Sequence, residues 1–497
     1  MNTKTTCPYC GVGCGIEISR SGNELKLVGD KDSPVNKGML CIKGQTLLET
    51  IGTDNERFTY PIIDDKKSNW EQVVEKIADD FRSKNNSDIA LYVSGQMLME
   101  DLFIAKKFAD SYGIDNLESN SRLCMYSTVE ANKRAYGADI VPVSYDDIYF
   151  AETIFIIGSN TADCHPIVFN HIKKSGAFII CVDIYETTTA KQSDVFIKVE
   201  QGKDLDIINN LPNKNWFKNK KVLSIYSQGL TQSTDATDKV NSLINAHIKV
   251  GNINKKGCGV LSLTGQCNAM GGREVGTRTK DLTATEFFST NQIKTLWVMA
   301  TNPAHSMINY RKIDNLIVSD FTKTLTTDDA NIILPACSWS EKSGHMKNSE
   351  RRYLEQNAFL PPAGDSKPDW EIICLVAKKL GLDGFDYKNV EEIWSEMAID
   401  ESWTSQIKVR EELVEITAKP RKYGNNAIKN SRLLAQWHCK SRTGKSPTLN
   451  AMTEINSESN SIHHITNTEL FKDRVVELDA YSKQPCFKGE AVLKGDK

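Results

Sequence analysis

The sequence predicts a multi-domain α/β protein with a small cysteine-rich domain at its start and two Rossmann-like parallel-sheet domains after it. Three observations support this fold class. The 497 residues correspond to about three domains of roughly 150 residues each. Apolar segments of strand length alternate twice with segments of helical periodicity, which is typical of βαβ units and parallel sheets. Four cysteines occur within the first 41 residues.

The composition is that of an ordinary globular protein, with 25% charged and 40% hydrophobic residues, which excludes extensive disorder. The formal net charge of −3 favours neither nucleic acid nor a membrane surface as partner. The longest apolar runs are far shorter than the ~20 residues of a membrane helix, so no membrane span is expected. No apolar leader or twin arginine is visible, and 13 cysteines are too sparse for a disulfide scaffold. We therefore expect reduced thiols and a cytoplasmic protein.

The first 60 or so residues are predicted to form a small β-rich domain around a metal site. The cysteines follow the pattern Cys7-x2-Cys10-x3-Cys14, and Cys41 comes after a gap of 26 residues. Four thiolates can complete the coordination of an iron–sulfur cube or of a tetrahedral zinc ion. Three close ligands and one distant ligand favour the cube, and structural zinc is the alternative.

Two sets of strands and helices follow, and each is predicted to build a parallel sheet. The predicted helices lie at 70–83, 101–112, 127–136 and 166–174, and the predicted strands at 89–94, 153–157, 178–182, 195–199, 295–300, 316–320 and 332–335. Because parallel sheets bind ligands at the carboxyl ends of their strands, the loops after these strands are candidate binding sites.

Two segments, Cys7–Cys14 (CPYCGVGC) and Gly38–Gly44 (GMLCIKG), resemble the amino-terminal domain of the molybdopterin oxidoreductase (dimethyl-sulfoxide reductase) family. The resemblance implies that the four cysteines hold a [4Fe–4S] cluster and that Lys43 lies between this cluster and a pterin. Without it, Lys43 would be a solvated surface lysine. It further implies bis-molybdopterin guanine dinucleotide as the molybdenum cofactor.

The segment Asn120–Met125 (NSRLCM) resembles the region where the family presents a ligand to molybdenum. The resemblance implies that Cys124 is this ligand, whereas the pattern alone would make it a small buried apolar residue. A thiolate suits a soft, high-valent metal. Cys124 followed by Met125 is similar to nitrate reductases, whereas formate dehydrogenases typically have His after the ligand. Met125 would then line the substrate side.

Loops of the first strand set resemble those that hold one guanine dinucleotide in the family. Backbone N–H groups after parallel strands suit a pyrophosphate, and a carboxylate suits a purine or ribose. The implied cofactor contacts are Gly158, Ser159, Asn160, His165, Asp183, Thr187, Gly202 and Asp204. The family's Asp-Pro-Arg is Asp183-Ile184-Tyr185 here, so an arginine that could pair with phosphate is missing.

The segment Leu263–Gly276 is similar to assimilatory and periplasmic nitrate reductases, above all in its Arg-Glu-Val-Gly end. Its small residues permit a backbone to approach a cofactor closely. The implied contacts are Gly265, Gln266, Asn268 and Met270. Arg273 is predicted to hold nitrate, because a guanidinium suits a planar oxyanion; the alternative is a structural pair with Glu274 or another acid.

The second strand set and the tail resemble the family's second dinucleotide-binding half and its carboxy-terminal capping domain. The implied contacts are Thr301, Asn302, Asp320, Gln436, Trp437, His438 and Thr443. The predicted domains are a [4Fe–4S] domain at 1–57, a discontinuous α/β domain at 58–140 with 286–400, a second α/β dinucleotide-binding domain at 141–285, and an abridged carboxy-terminal β domain at 401–497.

These features together predict an assimilatory-type nitrate reductase catalytic subunit that transfers an oxygen atom from nitrate, with electrons entering through the cluster. The alternatives are a formate dehydrogenase-like molybdopterin oxidoreductase and a non-catalytic iron–sulfur subunit for electron transfer or scaffolding. No flavin or nicotinamide domain is recognisable, so a ferredoxin, a flavodoxin or a reductase subunit is expected to supply electrons.

Overall fold

The strands of the chain form five sheets in a computed structural model that describes residues 2–22, 24–51, 57–137, 139–200, 202–233, 235–277, 282–307 and 310–397, and the backbone of three later strands. The strands are β1 (Asn2–Thr6), β2 (Gly15–Ser21), β3 (Glu24–Gly29), β4 (Ile62–Ile63), β5 (Lys66–Lys67), β6 (Ile89–Val93), β7 (Asn116–Ser119), β8 (Thr153–Ile157), β9 (Phe178–Asp183), β10 (Val195–Lys198), β11 (Val222–Tyr226), β12 (Gly259–Ser262), β13 (Thr295–Met299), β14 (Asn315–Asp320), β15 (Ile332–Pro335), β16 (Gly344–Lys347), β17 (Tyr353–Gln356), β18 (Arg432–Trp437), β19 (Leu449–Asn456) and β20 (Ser461–Ile465).

Helices connect most of these strands. They are α1 (Ile42–Gln45), α2 (Trp70–Arg82), α3 (Met99–Tyr112), α4 (Arg122–Tyr136), α5 (Thr161–Cys164), α6 (Pro166–Ser175), α7 (Thr188–Lys191), α8 (Asp204–Asn210), α9 (Asn215–Lys218), α10 (Gln228–Thr231), α11 (Ala236–Lys249), α12 (Ala269–Val275), α13 (Ala284–Ser289), α14 (Pro303–Ser306), α15 (Leu325–Asp328), α16 (Asp369–Lys379) and α17 (Val390–Met397). Short 3₁₀ helices lie at Leu47–Thr50, Asn86–Asp88, Tyr145–Tyr149 and Leu211–Asn213.

Two parallel sheets position the candidate sites. The smaller sheet has the strand order β10-β9-β8-β11-β12 and is parallel throughout. The larger has the order β5-β4-β15-β14-β13-β6-β7, and within it β4 alone runs antiparallel to its two neighbours, β15 and β5. In each sheet the order of the chain reverses once, between β8 and β11 and between β6 and β13. Such reversals open a crevice at the carboxyl edge, where doubly wound sheets bind ligands.

Both sheets are covered on both faces, as their uninterrupted apolar strands require. In β6 the side chains alternate, so that Leu91 packs against the α2, α3 and α16 side while Tyr92 packs against α13. In β8, Phe155 faces α11 and Ile156 faces α6 together with the cysteine-rich domain. The core of the smaller sheet is therefore continuous with the domain that carries the four cysteines.

The strand and helix predictions are confirmed at most positions. The strands predicted at 89–94, 153–157, 178–182, 195–199, 295–300, 316–320 and 332–335 are present with ends within one residue. The helix predicted at 127–136 is longer than expected, because α4 already begins at Arg122. It includes Cys124 in its first turn and is kinked at Met125, where φ is −132°. Strands β11 and β12 were not predicted, although the run Val222–Tyr226 carries an ordinary apolar strand signal.

Candidate functional site

The four amino-terminal cysteines line one cavity, together with Lys43 and the start of α6. Cys7 and Cys14 are buried, and the Cys7 backbone N–H donates to the Cys14 carbonyl at 2.8 Å. Burial raises the pKa of the Cys7 and Cys14 thiols, and the neighbouring cysteines raise it further. Four thiolates are therefore stable in this cavity only around a positively charged core.

The cavity brings all four cysteine side chains together within a tightly packed loop. Within the described part of the chain, no three His, Cys, Asp or Glu side chains are placed to hold a single metal ion, yet all four cysteines face the same cavity. The Cys10–Cys14 loop leaves no room for larger residues. A Cβ on Gly11 would lie 1.9 Å from the Thr264 Oγ1 atom, and Gly13 has a φ of +73°. Four thiolates around one cavity fit the ligand set of a cube, and they fit that of zinc as well.

Lys43 connects the cysteine cavity with the smaller sheet. Its side chain is buried, and Nζ donates at 2.8 Å to the carbonyl of Cys164, the last residue of α5, which follows β8. Burial raises the pKa of Cys10, and the Lys43 ammonium is the largest opposing influence. Lys43 therefore lies between the cysteines and the candidate dinucleotide loops. Its part in electron transfer remains a prediction.

His165 presents an unsatisfied nitrogen to the interior beside Lys43. Its Nε2 lies 2.9 Å from the Thr264 carbonyl oxygen. Because a carbonyl oxygen can only accept, Nε2 carries the hydrogen and Nδ1 is an acceptor. Burial, with the Lys43 charge second, lowers the pKa of His165 to about 4, so the ring is neutral. Nδ1 is buried without a hydrogen-bond partner, as is the amide nitrogen of Gln96. Unpaired buried polar atoms fit an interior that a polar cofactor completes.

Cys124 is buried and packs within an apolar cluster. Its sulfur nevertheless contacts polar groups. The Gln228 side-chain amide donates to Sγ at 3.0 Å, and Gln228 is the first residue of α10, which follows β11. Burial raises the pKa of Cys124, while Gln228, the Gly265 N–H and the Arg273 charge lower it. Cys124 therefore lies beside the crevice between β8 and β11. Whether it binds molybdenum remains a prediction.

Arg273 is held by an acid in this structure. Its Nε donates to Asp139 Oδ2 at 2.7 Å, and its second terminal nitrogen bonds the other carboxylate oxygen. Burial alone would raise the pKa of Asp139, but Arg273 outweighs it and the pKa is lowered. Glu274 pairs instead with Lys347 and Tyr353. The structural pair left open by the sequence is thus present with Asp139, and the nitrate-binding role stays a prediction.

The first dinucleotide loops meet at the reversal point of the smaller sheet. Gly158 has a φ of +58°, and a Cβ there would lie 2.7 Å from the Leu230 backbone nitrogen, so the loops after β8 and β11 touch. Asn160 accepts from the Thr189 hydroxyl at 3.0 Å. Burial raises the pKa of Asp183 to about 7.

The remaining residues predicted for this half also make local hydrogen bonds, turns or ion pairs. Ser159 bonds the Thr161 hydroxyl at 2.9 Å, and Thr187 caps α7. Gly202 has a φ of +83°, as its turn requires. Asp204 is paired with the buried Lys239 ammonium, which donates to it at 2.7 Å, and its contact with a cofactor stays a prediction. A buried ion pair of this kind is costly to open.

A second cavity, with about 940 Å³ of empty space partly open to solvent, lies at the reversal point of the larger sheet. Thr301, Asn302 and Asp320 line it, as the predicted second dinucleotide half requires. Gln96 and Lys342 line it too and were not among the predicted contacts. Lys342 is buried and donates to Asp101 at 2.8 Å and to Asp369 at 2.5 Å. Its two partners are far from it in the chain, so the pairing depends on long-range packing.

The segment from Thr264 to Met270 joins both sites. Gln266 accepts from Ser121 at 2.6 Å and donates to Asn120 at 2.5 Å, next to the helix that carries Cys124. Asn268 donates to the Met97 carbonyl at 2.7 Å, beside the loop after β6. Met270 is buried against the terminal guanidinium nitrogen of Arg273.

The last predicted cofactor contacts lie in the carboxy-terminal part of the chain. Gln436 and Trp437 lie on β18, of which only the backbone is described. His438 and Thr443 lie outside the described residues.

Comparisons with known proteins identify the family. The molybdopterin oxidoreductase Fe4S4 domain matches residues 1–52, and the molybdopterin oxidoreductase domain matches residues 57–379. The chain belongs to the molybdopterin oxidoreductase family. Its cofactors are a [4Fe–4S] cluster and a molybdopterin, which confirms the expected cluster and excludes the zinc alternative.

Individual relatives carry two different activities in their names. The chain is 34% identical over 505 residues to a nitrate reductase of Shewanella frigidimarina, a match that covers 80% of this chain but only 54% of the relative. It is 30% identical over 489 residues to the F420-dependent formate dehydrogenase subunit alpha of Methanocaldococcus jannaschii, covering 79% and 72%. The chain thus spans little more than half the length of the nitrate reductase.

The fold also resembles acetylene hydratase from Pelobacter acetylenicus. The TM-score is 0.64 at 14% sequence identity, and the match covers 81% of this chain and 73% of that one. At this identity the likeness concerns the fold alone. No helix in the described residues is both long enough and apolar enough to cross a membrane.

Proposed function

We propose that the chain reduces nitrate to nitrite, with the net reaction nitrate + 2 e⁻ + 2 H⁺ → nitrite + water. Molybdenum, bound as bis-molybdopterin guanine dinucleotide, supplies the oxygen-atom transfer and the two-electron redox change. The observation that carries this proposal is the environment of the Cys124 sulfur. It receives an N–H from Gln228 and lies near the Arg273 charge, and a Met follows it, as in the pattern of nitrate reductases.

The residues of the chain have separate tasks in this proposal. Cys124 anchors the metal, and Met125 keeps an apolar, non-ionising group on the substrate side. The loops at the two reversal points would hold one guanine dinucleotide each, because backbone N–H groups after parallel strands suit phosphates. Lys43 keeps a positive charge between the cluster and the nearer pterin. Arg273 orients nitrate while it also donates to Asp139. Holding nitrate in place reduces the entropic cost of the reaction.

Formate oxidation is the second candidate, and the 30% identity to a formate dehydrogenase subunit favours it over other chemistries. Met125 argues against it. The two activities separate in a pair of assays on anaerobically purified protein: nitrate with reduced viologen, and formate with an oxidised dye. Nitrate-dependent viologen oxidation without formate turnover supports the proposal. The reverse result overturns it in favour of formate.

A non-catalytic iron–sulfur subunit for electron transfer or scaffolding is the third candidate. Metal analysis of protein from a host that makes the cofactor distinguishes such a subunit from an enzyme. Iron without molybdenum would exclude an enzyme. We further propose a cytoplasmic location and a ferredoxin, a flavodoxin or a reductase subunit as the electron donor.

A further inference from the structure

One peptide unit in the cysteine loop is hydrogen-bonded at both ends. The Val12 N–H donates to the Cys10 sulfur. The carbonyl of the same peptide, on Gly11, accepts from the Ser349 backbone N–H at 2.7 Å and from the Tyr145 hydroxyl at 3.2 Å. Hydrogen bonds in series polarise one another. Donation to the Gly11 carbonyl therefore strengthens the N–H bond to the sulfur.

Tyr145 also connects this loop to a buried carboxylate. Its side chain is 3% exposed, and its backbone N–H donates to Glu350 Oε2 at 2.7 Å. Glu350 is itself 2% exposed, and its other oxygen accepts from Arg352 Nε at 2.8 Å. Asn348 donates to the Val12 carbonyl at 3.0 Å and lies 3.4 Å from Glu350. A buried carboxylate, paired with the partly exposed Arg352, thus contacts the two residues, Tyr145 and Asn348, that bond the loop between Cys10 and Cys14.

We propose that Tyr145 and Glu350 are positioning residues that set the reduction potential of the [4Fe–4S] cluster in opposite directions. Hydrogen bonds to cluster sulfurs stabilise the electron-rich reduced state, so the Tyr145 hydroxyl raises the potential. A nearby negative charge opposes the added electron, so Glu350 lowers it. This inference rests on the cluster and is independent of whether the substrate is nitrate.

The test is a potentiometric titration of the purified, cluster-loaded chain, with dithionite as the one-electron reductant and the paramagnetic signal of the reduced cluster as readout. Tyr145→Phe removes only the hydroxyl and shifts the midpoint to more negative values. Glu350→Gln removes the charge and shifts it to more positive values. Tyr92→Phe is the matched control, because the buried Tyr92 hydroxyl has no hydrogen-bond partner. Glu350→Asp keeps the charge, and we expect a midpoint close to that of the unmodified chain.

Opposite shifts with unchanged iron content support the proposal. Unchanged midpoints, or shifts of the same sign in both variants, overturn it. If Glu350→Gln loses its iron, the sign of the Tyr145→Phe shift decides. If Tyr145→Phe also loses iron while Tyr92→Phe retains it, the hydroxyl only holds the loop in place and the proposal is wrong. Nitrate turnover enters none of these outcomes, so a failure of the proposed activity is recognised separately.

Discussion

The two sulfur sites of this molecule are built in different ways. The cysteine quartet comes from one short stretch of chain, and its members line a common cavity with Lys43. Cys124 is a lone thiol, and its sulfur meets groups from distant segments, among them Gln228, Gly265 and Arg273. Burial raises the pKa at both sites. The quartet depends on a shared metal core, whereas Cys124 is supported by an amide and a nearby ion pair, so the two sites should fail independently.

The largest expected effect is loss of the cluster. Cys14→Ala removes one of four ligands, and we expect iron content and the signal of the reduced cluster to fall to background. Iron analysis and paramagnetic resonance of the reduced protein measure this. Cys258→Ala, at a buried cysteine just before β12, is the control and should keep its iron. Full iron content in Cys14→Ala would remove it from the ligand set.

Cys124→Ala should abolish nitrate reduction and leave the cluster signal intact, because its sulfur belongs to the second site only. Viologen-linked nitrate turnover and the cluster signal are measured on the same sample, again beside Cys258→Ala. Retained turnover would exclude Cys124 as the metal ligand. Loss of the cluster signal as well would show that the two sites do not fail separately.

Gln228→Ala removes the amide that donates to Cys124. Loss of such an outer partner typically costs about 10–100-fold in metal affinity or activity. We expect a drop of that size in molybdenum content or nitrate turnover, with iron unchanged. Gln192→Ala, at an exposed glutamine, should change neither. An unaffected Gln228→Ala enzyme would mean that this hydrogen bond is incidental.

Lys43→Ala should slow turnover by about tenfold without loss of molybdenum or iron, because the charge lies between the sites and belongs to neither ligand set. Steady-state turnover and metal content measure this, with the exposed Lys37→Ala as the control. Unchanged turnover would remove Lys43 from the proposed electron route.

The smallest effect concerns stability. The pKa of Asp183 is about 7 in the fold, above its ordinary value of 3.8. The folded state therefore holds a proton that the unfolded state lacks between about pH 4 and 7, and stability falls as pH rises through this window. At pH 8 we expect the midpoint temperature of unfolding of Asp183→Asn to lie about a few °C above that of the unmodified chain. Near pH 4 we expect little difference.

Thermal unfolding of molybdenum-free protein at the two pH values measures this difference. Asp206→Asn, at an exposed acid of α8, is the control. An equal response of both variants to pH would contradict the assignment to Asp183.

Much of the fold was predictable because its signals are local. The strand Thr153–Ile157 and the helix beginning at Pro166 follow from apolar runs and periodicity over a few residues. The start of α4 was missed, because the helix begins in the polar stretch around Arg122 and is kinked at Met125. Propensity over a short window does not register a turn that tertiary contacts stabilise.

The sequence by itself determined the cysteine quartet, the position of Lys43 next to it and the alternation that makes two parallel sheets. Spacing along the chain controls all of these. Only the tertiary structure decided that Arg273 pairs with Asp139, that Gln228 reaches Cys124 and that Lys342 lines the second cavity. These partners lie far apart in the chain. Buried charges and donors must find a partner when the core closes, and which partner is near depends on packing.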